Sequence, residues 1–146
     1  MAITTCITNA FKLDILKGAH QFGGTATNTF KWALYTSSAT IDATTTAYSA
    51  TNEISGTGYS AGGAATAPTL SAAGATTYVD MADAQWTTAT FTARGTVLYN
   101  DTASNGGTAD GAIAAWDFGS DKSVSAGTFT IVMPTADTTN ALLRLS

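Results

Sequence analysis

One uninterrupted run, WTTATFTARGTVLYN from Trp86 to Asn100, alternates with period two. Phe91, Ala93, Gly95, Val97 and Tyr99 share one face of an extended chain; Thr90, Thr92, Arg94, Thr96 and Leu98 share the other. Only a strand sends successive side chains to opposite faces, and Thr fits a half-solvated strand surface. The run is long for a single strand, and Gly95 marks a bulge or a bend within it.

Further strands are legible around it. TFKWALYT (Thr29 to Thr36) places Phe30, Trp32 and Leu34 on one face and Lys31, Ala33 and Tyr35 on the other, so both faces are expected to be buried. TYVDMA (Thr77 to Ala82), AIAAWDFG (Ala112 to Gly119), GTFTIVMP (Gly127 to Pro134) and the closing ALLRLS read as shorter strands. NDTASNGGTADG (Asn100 to Gly111) and GSDKSVSAG (Gly119 to Gly127) read as polar loops. Ser37 to Thr66 reads as a long excursion with a short helical turn around Thr44 to Thr51. Near the start, Phe11, Ile15, Leu16, Ala19 and Phe22 recur at helical spacing, predicting an amphipathic helix from Ala10 to Phe22, capped by Asn9 and stopped by Gly23-Gly24. The expected fold is therefore mainly β: one domain over residues 1–146, an antiparallel, jelly-roll-like β-sandwich with one N-terminal amphipathic helix. Residues 1–8 read either as a frayed terminus or as an arm that adds a strand to a neighbour.

Charge sets the chemical limits. Charged residues are 11% of the chain, against roughly a quarter in ordinary soluble proteins, and Thr and Ala supply roughly two fifths. The net charge is −4, and the six cations, Lys12, Lys17, Lys31, Arg94, Lys122 and Arg144, form no basic patch. Nucleic-acid binding draws on several cations neutralising phosphates together, so no nucleic-acid partner is expected. No segment approaches the ~18 consecutive apolar residues of a membrane helix, and the opening residues lack the charged and apolar regions of a secretory leader. Cys6 is the only cysteine, which excludes an intrachain disulfide and suits a small buried hydrophobe.

EISGTGYSAGG (Glu53 to Gly63) contains Gly56-Thr57-Gly58-Tyr59-Ser60-Ala61, a match to the dinucleotide-binding turn. That turn needs a buried strand before it and a helix opening at its second glycine. The flanks TTAYSATNEIS and GGAATAP supply neither, so a structural glycine loop centred on Tyr59 is expected, and no cofactor. His20, the single histidine, reads as a helix-end residue near the negative dipole end, with no nucleophile beside it. Asp110 and Asp117 resemble paired carboxylates, but with nine Asp spread mainly through turns, chance and turn chemistry explain them better. Asp101, Asn105 and Asp110 offer oxygen ligands to a cation without the spacing of an EF-hand loop. Asn100-Asp101-Thr102 formally matches a glycosylation sequon. No catalytic, cofactor-binding or metal residue is assigned, and no enzymatic activity is expected.

KWALYTSSATIDATTTAYSATNEISGTGYSAGG, WTTATFTARGTVLYNDT and AIAAWDFGSDKSVSAGTFTIVMP together resemble a family of small virion proteins of tailed bacteriophages. The resemblance runs from about Phe11 to the end, and its most specific parts are ALYTS, NEISGTGYSAGG, ARGTVLYNDT and DFGSDKSVSAGTFTI. It carries no catalytic motif. It implies a β-rich structural protein of the virion, present in many copies, bound to the capsid exterior as a decoration or cement protein. Its partners would be the major capsid protein and further copies of itself, in a homo-oligomer such as a trimer. A tail or head-to-tail connector component is the alternative. A carbohydrate-binding β-sandwich is a third reading; it needs Trp32, Trp86 or Trp116 exposed on a platform, whereas their strand positions favour the core.

Overall fold

The structure, a computed structural model, describes residues 1–23 and 28–146. Its elements run β1 (Cys6–Ile7), α1 (Asn9–Leu16), β2 (Phe30–Tyr35), β3 (Ala64–Thr66), β4 (Pro68–Ala73), β5 (Thr76–Met81), β6 (Ala84–Asn100), β7 (Gly111–Ile131) and β8 (Leu143–Leu145). One sheet has the order β1-β7-β6-β2-β3 and a smaller one the order β4-β5-β8, with every strand pairing antiparallel. This is the mainly β, sandwich-like architecture with one short N-terminal helix that the alternation demands.

The β6–β7 hairpin is the frame. Its strands pair from Asn100↔Gly111 at the closed end to Ala84↔Ile131 at the far end. The expected loop Gly119 to Gly127 is absorbed into β7, so the two predicted strands are one. The polar residues there pair across to the Thr-bearing run of β6, with Ala93↔Lys122, Thr92↔Ser123 and Phe91↔Val124, and a strand face open to water tolerates Ser, Asp and Lys. The loop signal survives as bulges. Register slips between Ala93 and Gly95, where Gly119 takes φ +77, and around Ala89, where Thr88 and Ala126 take φ +51 and +47. Each bulge increases local twist and bends the ribbon.

The large sheet is buried on both faces near the closed end of the hairpin, as the apolar character of β2 anticipates. One face joins Phe30, Trp32, Leu34, Leu98 and Ile113 to Phe11 of the helix and to Val79 and Met81 of the small sheet. The other joins Ala33, Tyr35, Val97, Tyr99, Ala112 and Ala115 to Ile3, Ala39 and Ile41. The excursion after β2 therefore serves as a lid of irregular chain. It contains a turn at Asp42–Thr45, where Thr44 N–H donates to Asp42 Oδ1 at 2.7 Å, in place of the expected helical turn at Thr44 to Thr51. β3 and β4, hidden in Ala- and Thr-rich stretches with weak alternation, escape the sequence reading.

One correction concerns the N-terminal helix. The helix covers Asn9–Leu16 only, capped by Thr8, whose Oγ1 accepts from Phe11 N–H at 3.1 Å, and ends before Gly18 at φ +70. Thr8 displaces Asn9 as cap because its hydroxyl is also tied to the Ala112 carbonyl, which sets the chain direction into the helix. Gly23 is thus not the stop, and Gly24 lies outside the described residues. Leu16 is 86% exposed, and the inward positions belong to Phe11 and Asp14, so the apolar stripe is broken by a carboxylate. Residues 1–8 lie on their own chain: Cys6 and Ile7 pair with Ala115 and Ala114, and Ile3 bridges Ile41.

Candidate docking surface

Beyond the closed end of the hairpin, the second half of β7 loses its cover. Trp116, Phe118, Val124, Phe129, Ile131 and Met133 pack on the core but remain partly exposed. All of these but Val124 border a groove of about 570 Å³, lined also by Trp32, Thr96, Lys122, Val132 and Pro134. The Trp32 and Trp116 rings lie 5.2 Å apart at 57°, and Phe118 and Phe129 6.1 Å apart. A second hollow continues past Trp116, Met133 and Pro134 to Thr5, Cys6, Ile7 and Leu142. Val132 on the rim is 72% exposed. β1 covers only Ala114 and Ala115 of the outer edge of β7, and Thr5 Oγ1 accepts from Asp117 N–H at 3.0 Å just beyond. Asp117 is held by Arg94 in a two-pronged pair, Nε–Oδ1 2.7 Å and Nη2–Oδ2 3.3 Å, and this partner, with Gly119 N–H, holds its carboxyl below the usual range. The alternation that put these aromatics on one face was visible in the sequence; that nothing would cover them was not. Trp32 and Trp86 lie in the core, which leaves Trp116 as the one partly exposed tryptophan.

The glycine-rich stretch is a clasp on the same sheet. Glu53 accepts from Tyr59 Oη at 2.6 Å and Gly62 N–H at 2.8 Å through Oε1, and from Tyr48 Oη at 2.7 Å through Oε2. Tyr59 Oη in turn accepts Leu34 N–H at 2.9 Å, and Ile54 N–H donates to the Leu34 carbonyl at 3.0 Å. β3 accompanies β2 only as far as Trp32, so these two groups complete the sheet edge that β3 leaves open. Burial, above all, and the Glu53 carboxylate push the Tyr59 phenol far above its usual range. A Cβ on Gly63, at φ +79, would stand 1.8 Å from the Trp32 carbonyl oxygen, and one on Gly58, at φ +78, 3.0 Å from Ala89 Cα and Thr87 O. The glycines thus serve close backbone approach, the structural role expected of them.

The remaining candidates separate. Asp101 pairs with Lys31 at 3.0 Å, and Asn105 donates its amide to the Gly18 carbonyl at 3.0 Å. Asp110, at φ +49, offers its backbone carbonyl to Tyr48 N–H. Among the described residues no group of three or more His, Cys, Asp or Glu is placed to hold a metal ion. Asn100 of the formal sequon is fully buried. Cys6 is partly buried, and desolvation together with Asp42 raises its thiol pKa, which suits an unreactive thiol.

His20 departs most from expectation. It lies beyond the end of α1 with its side chain sealed from solvent, against Phe11 at 4.9 Å between ring centroids. Asp14 is equally buried; Thr108 N–H at 2.7 Å and Lys17 Nζ at 2.9 Å hold its carboxylate. Burial alone would raise the Asp14 pKa, but these donors outweigh it and bring it down to about 2. A carboxylate inside an apparent apolar stripe was the one sequence signal for this polar cluster.

No model of a known protein family, no curated protein and no solved structure matches the chain.

Proposed function

We propose that this protein is a non-enzymatic structural component of a tailed-phage virion, a decoration protein that binds the capsid exterior and stabilises the shell. The reading starts from the virion-protein phrases in the sequence. The observation that supports it best is the aromatic groove beside the outer edge of β7, in a domain of low charge. An apolar surface rimmed by polar residues marks a contact site. A protein that binds the assembled lattice better than its free subunits stabilises that lattice by mass action. Cryo-imaging of particles tests the proposal: hundreds of copies on the outer shell support it, and a few copies confined to the tail or neck favour the connector alternative. Val132→Asp places a charge on the exposed rim of the groove. It is expected to leave the fold intact and to abolish incorporation into particles. Unchanged incorporation would remove the groove from the contact.

A further inference from the structure

We propose that His20 is an acid-sensitive latch holding the N-terminal layer, residues 8–22, onto the loop that joins β6 to β7. The argument rests on hydrogen-bond polarity. Thr102 N–H, which has no choice but to donate, reaches Asn100 Oδ1 at 3.0 Å. The opposite atom of the Asn100 amide is therefore Nδ2, which donates to Asn28 Oδ1 at 3.0 Å and meets His20 Nδ1 at 3.0 Å. Asn28 is fixed in the same way: its Oδ1 accepts Gln21 N–H at 2.8 Å while its Nδ2 donates to the Thr102 carbonyl at 2.8 Å and Ser104 Oγ at 3.0 Å. Both amides are thus oriented by backbone groups. His20 Nδ1 must accept, so the ring is neutral with its proton on Nε2.

A second proton on Nδ1 sets two N–H donors against each other at 3.0 Å. Turning Asn100 over to relieve this abandons both Thr102 N–H and Asn28 Oδ1, leaving buried groups unpaired. Among the described residues Nε2 has no hydrogen-bond partner, and the Asp14 carboxylate oxygen Oδ2 stands 4.0 Å away. Of the charged groups on the elements around it, α1 carries Lys12 and Asp14 with Lys17 as its C-cap, Asp101 and Asp110 stand at the two ends of the loop, and β2 carries Lys31. Lys17 already compensates Asp14 and Lys31 compensates Asp101, so little attraction is left to offset the cost of an imidazolium.

The latch spans the contacts that join this layer to the loop: Asp14 with Thr108 N–H, Ser104 N–H to the Ala19 carbonyl at 2.9 Å, and Asn105 to the Gly18 carbonyl. Burial holds the His20 pKa below the ordinary 6.5, with Asp14 opposing. The latch is therefore fully closed above that value and weakens as pH falls toward and through the lowered one, by up to about tenfold in the opening equilibrium per pH unit for one proton taken up. Asp14, at about 2, stays charged throughout this window.

His20 is the only histidine, so its ring resonances in a proton–carbon NMR spectrum are unambiguous. The expected result is a titration below 6.5, accompanied by acid-induced loss of amide-exchange protection at Ala19, Ser104 and Thr108 while the β2–β6 ladder stays protected. His20→Asn keeps an acceptor where Nδ1 stands and removes the titration, so the local opening between pH 7 and 5 is expected to become independent of pH. A folded-state titration at or above 6.5, or the same acid-dependent opening in His20→Asn, overturns the proposal. If the variant does not fold, the wild-type titration and exchange pattern decide alone.

Discussion

Replacing Tyr59 by Phe removes one oxygen and leaves the ring, so it tests whether the clasp is held by its hydrogen bonds or by its aromatic contacts. The ring sits 6.0 Å from Trp86 and 5.8 Å from Phe91, and those contacts survive the change. The oxygen serves two partners. Leu34 N–H, buried near the end of β2, loses its acceptor, and an orphaned buried amide costs about 1–3 kcal/mol. Glu53 loses one of three donors but keeps Gly62 N–H and Tyr48 Oη, so that loss falls near or below the low end of the roughly 1.5–3 kcal/mol for a bond to a charged group. The sum is about 3 kcal/mol, a substantial share of the roughly 5–15 kcal/mol of a typical domain. In urea unfolding followed by tryptophan fluorescence, the midpoint should fall while the slope m stays constant. The Leu34 amide should also lose exchange protection ahead of its neighbours. A double-mutant cycle with Glu53→Gln separates the carboxylate bond from the Leu34 bond. A loss below about 1 kcal/mol, with Leu34 still protected, would refute the assignment of Tyr59 Oη as the missing edge acceptor.

Gly63→Ala should be more damaging than Gly58→Val or Gly62→Val, because its Cβ meets the Trp32 backbone at 1.8 Å whereas Gly58 and Gly62 have 3.0 and 3.3 Å to the nearest atoms; thermal melts of the three variants check the order. Arg94→Ala should cost little stability, and the difference from wild type should shrink in high salt, since the Arg94–Asp117 pair is about a third exposed. Asp14 contributes about 2 kcal/mol that is present above its ordinary pKa of 3.8 and lost as pH falls through about 2, so Asp14→Asn should remove that part of the acid-denaturation curve.

Legibility followed the range of the interactions. β2 and β6 were readable because a strand buried on one or both faces writes its period into consecutive residues. β7 was misread as two strands because Gly119, Ser120, Asp121 and Lys122 carry turn chemistry, yet Gly119 to Asp121 fall in a bulge and the pairing resumes at Ala93↔Lys122 and Thr92↔Ser123. The helix was overextended for a related reason. Ala19 and Phe22 are buried and share the helical spacing, but they reach the core from irregular chain after Gly18. Spacing reports that residues are apolar, not which backbone delivers them.

The same division holds for the candidate sites. The flanks of EISGTGYSAGG were enough to exclude a phosphate-binding turn, because such a turn depends on the strand and helix immediately adjacent. The role of Tyr59 was not readable, since its partners Glu53 and Leu34 meet it only once the loop crosses β2. His20 read as a helix-end residue near the negative dipole end, and its side chain is sealed inside, beyond the end of α1. Its environment is assembled from Asn100, Asn28 and Asp14, the first 80 residues distant along the chain. Composition and periodicity by themselves determined a low-charge, antiparallel β protein with one helix near the start, because patterning and local propensity act between near neighbours. Tertiary structure alone decided which aromatic face stays uncovered, which hydroxyl completes the β2 edge and which protonation state His20 must hold, because each depends on groups brought together only by strand pairing.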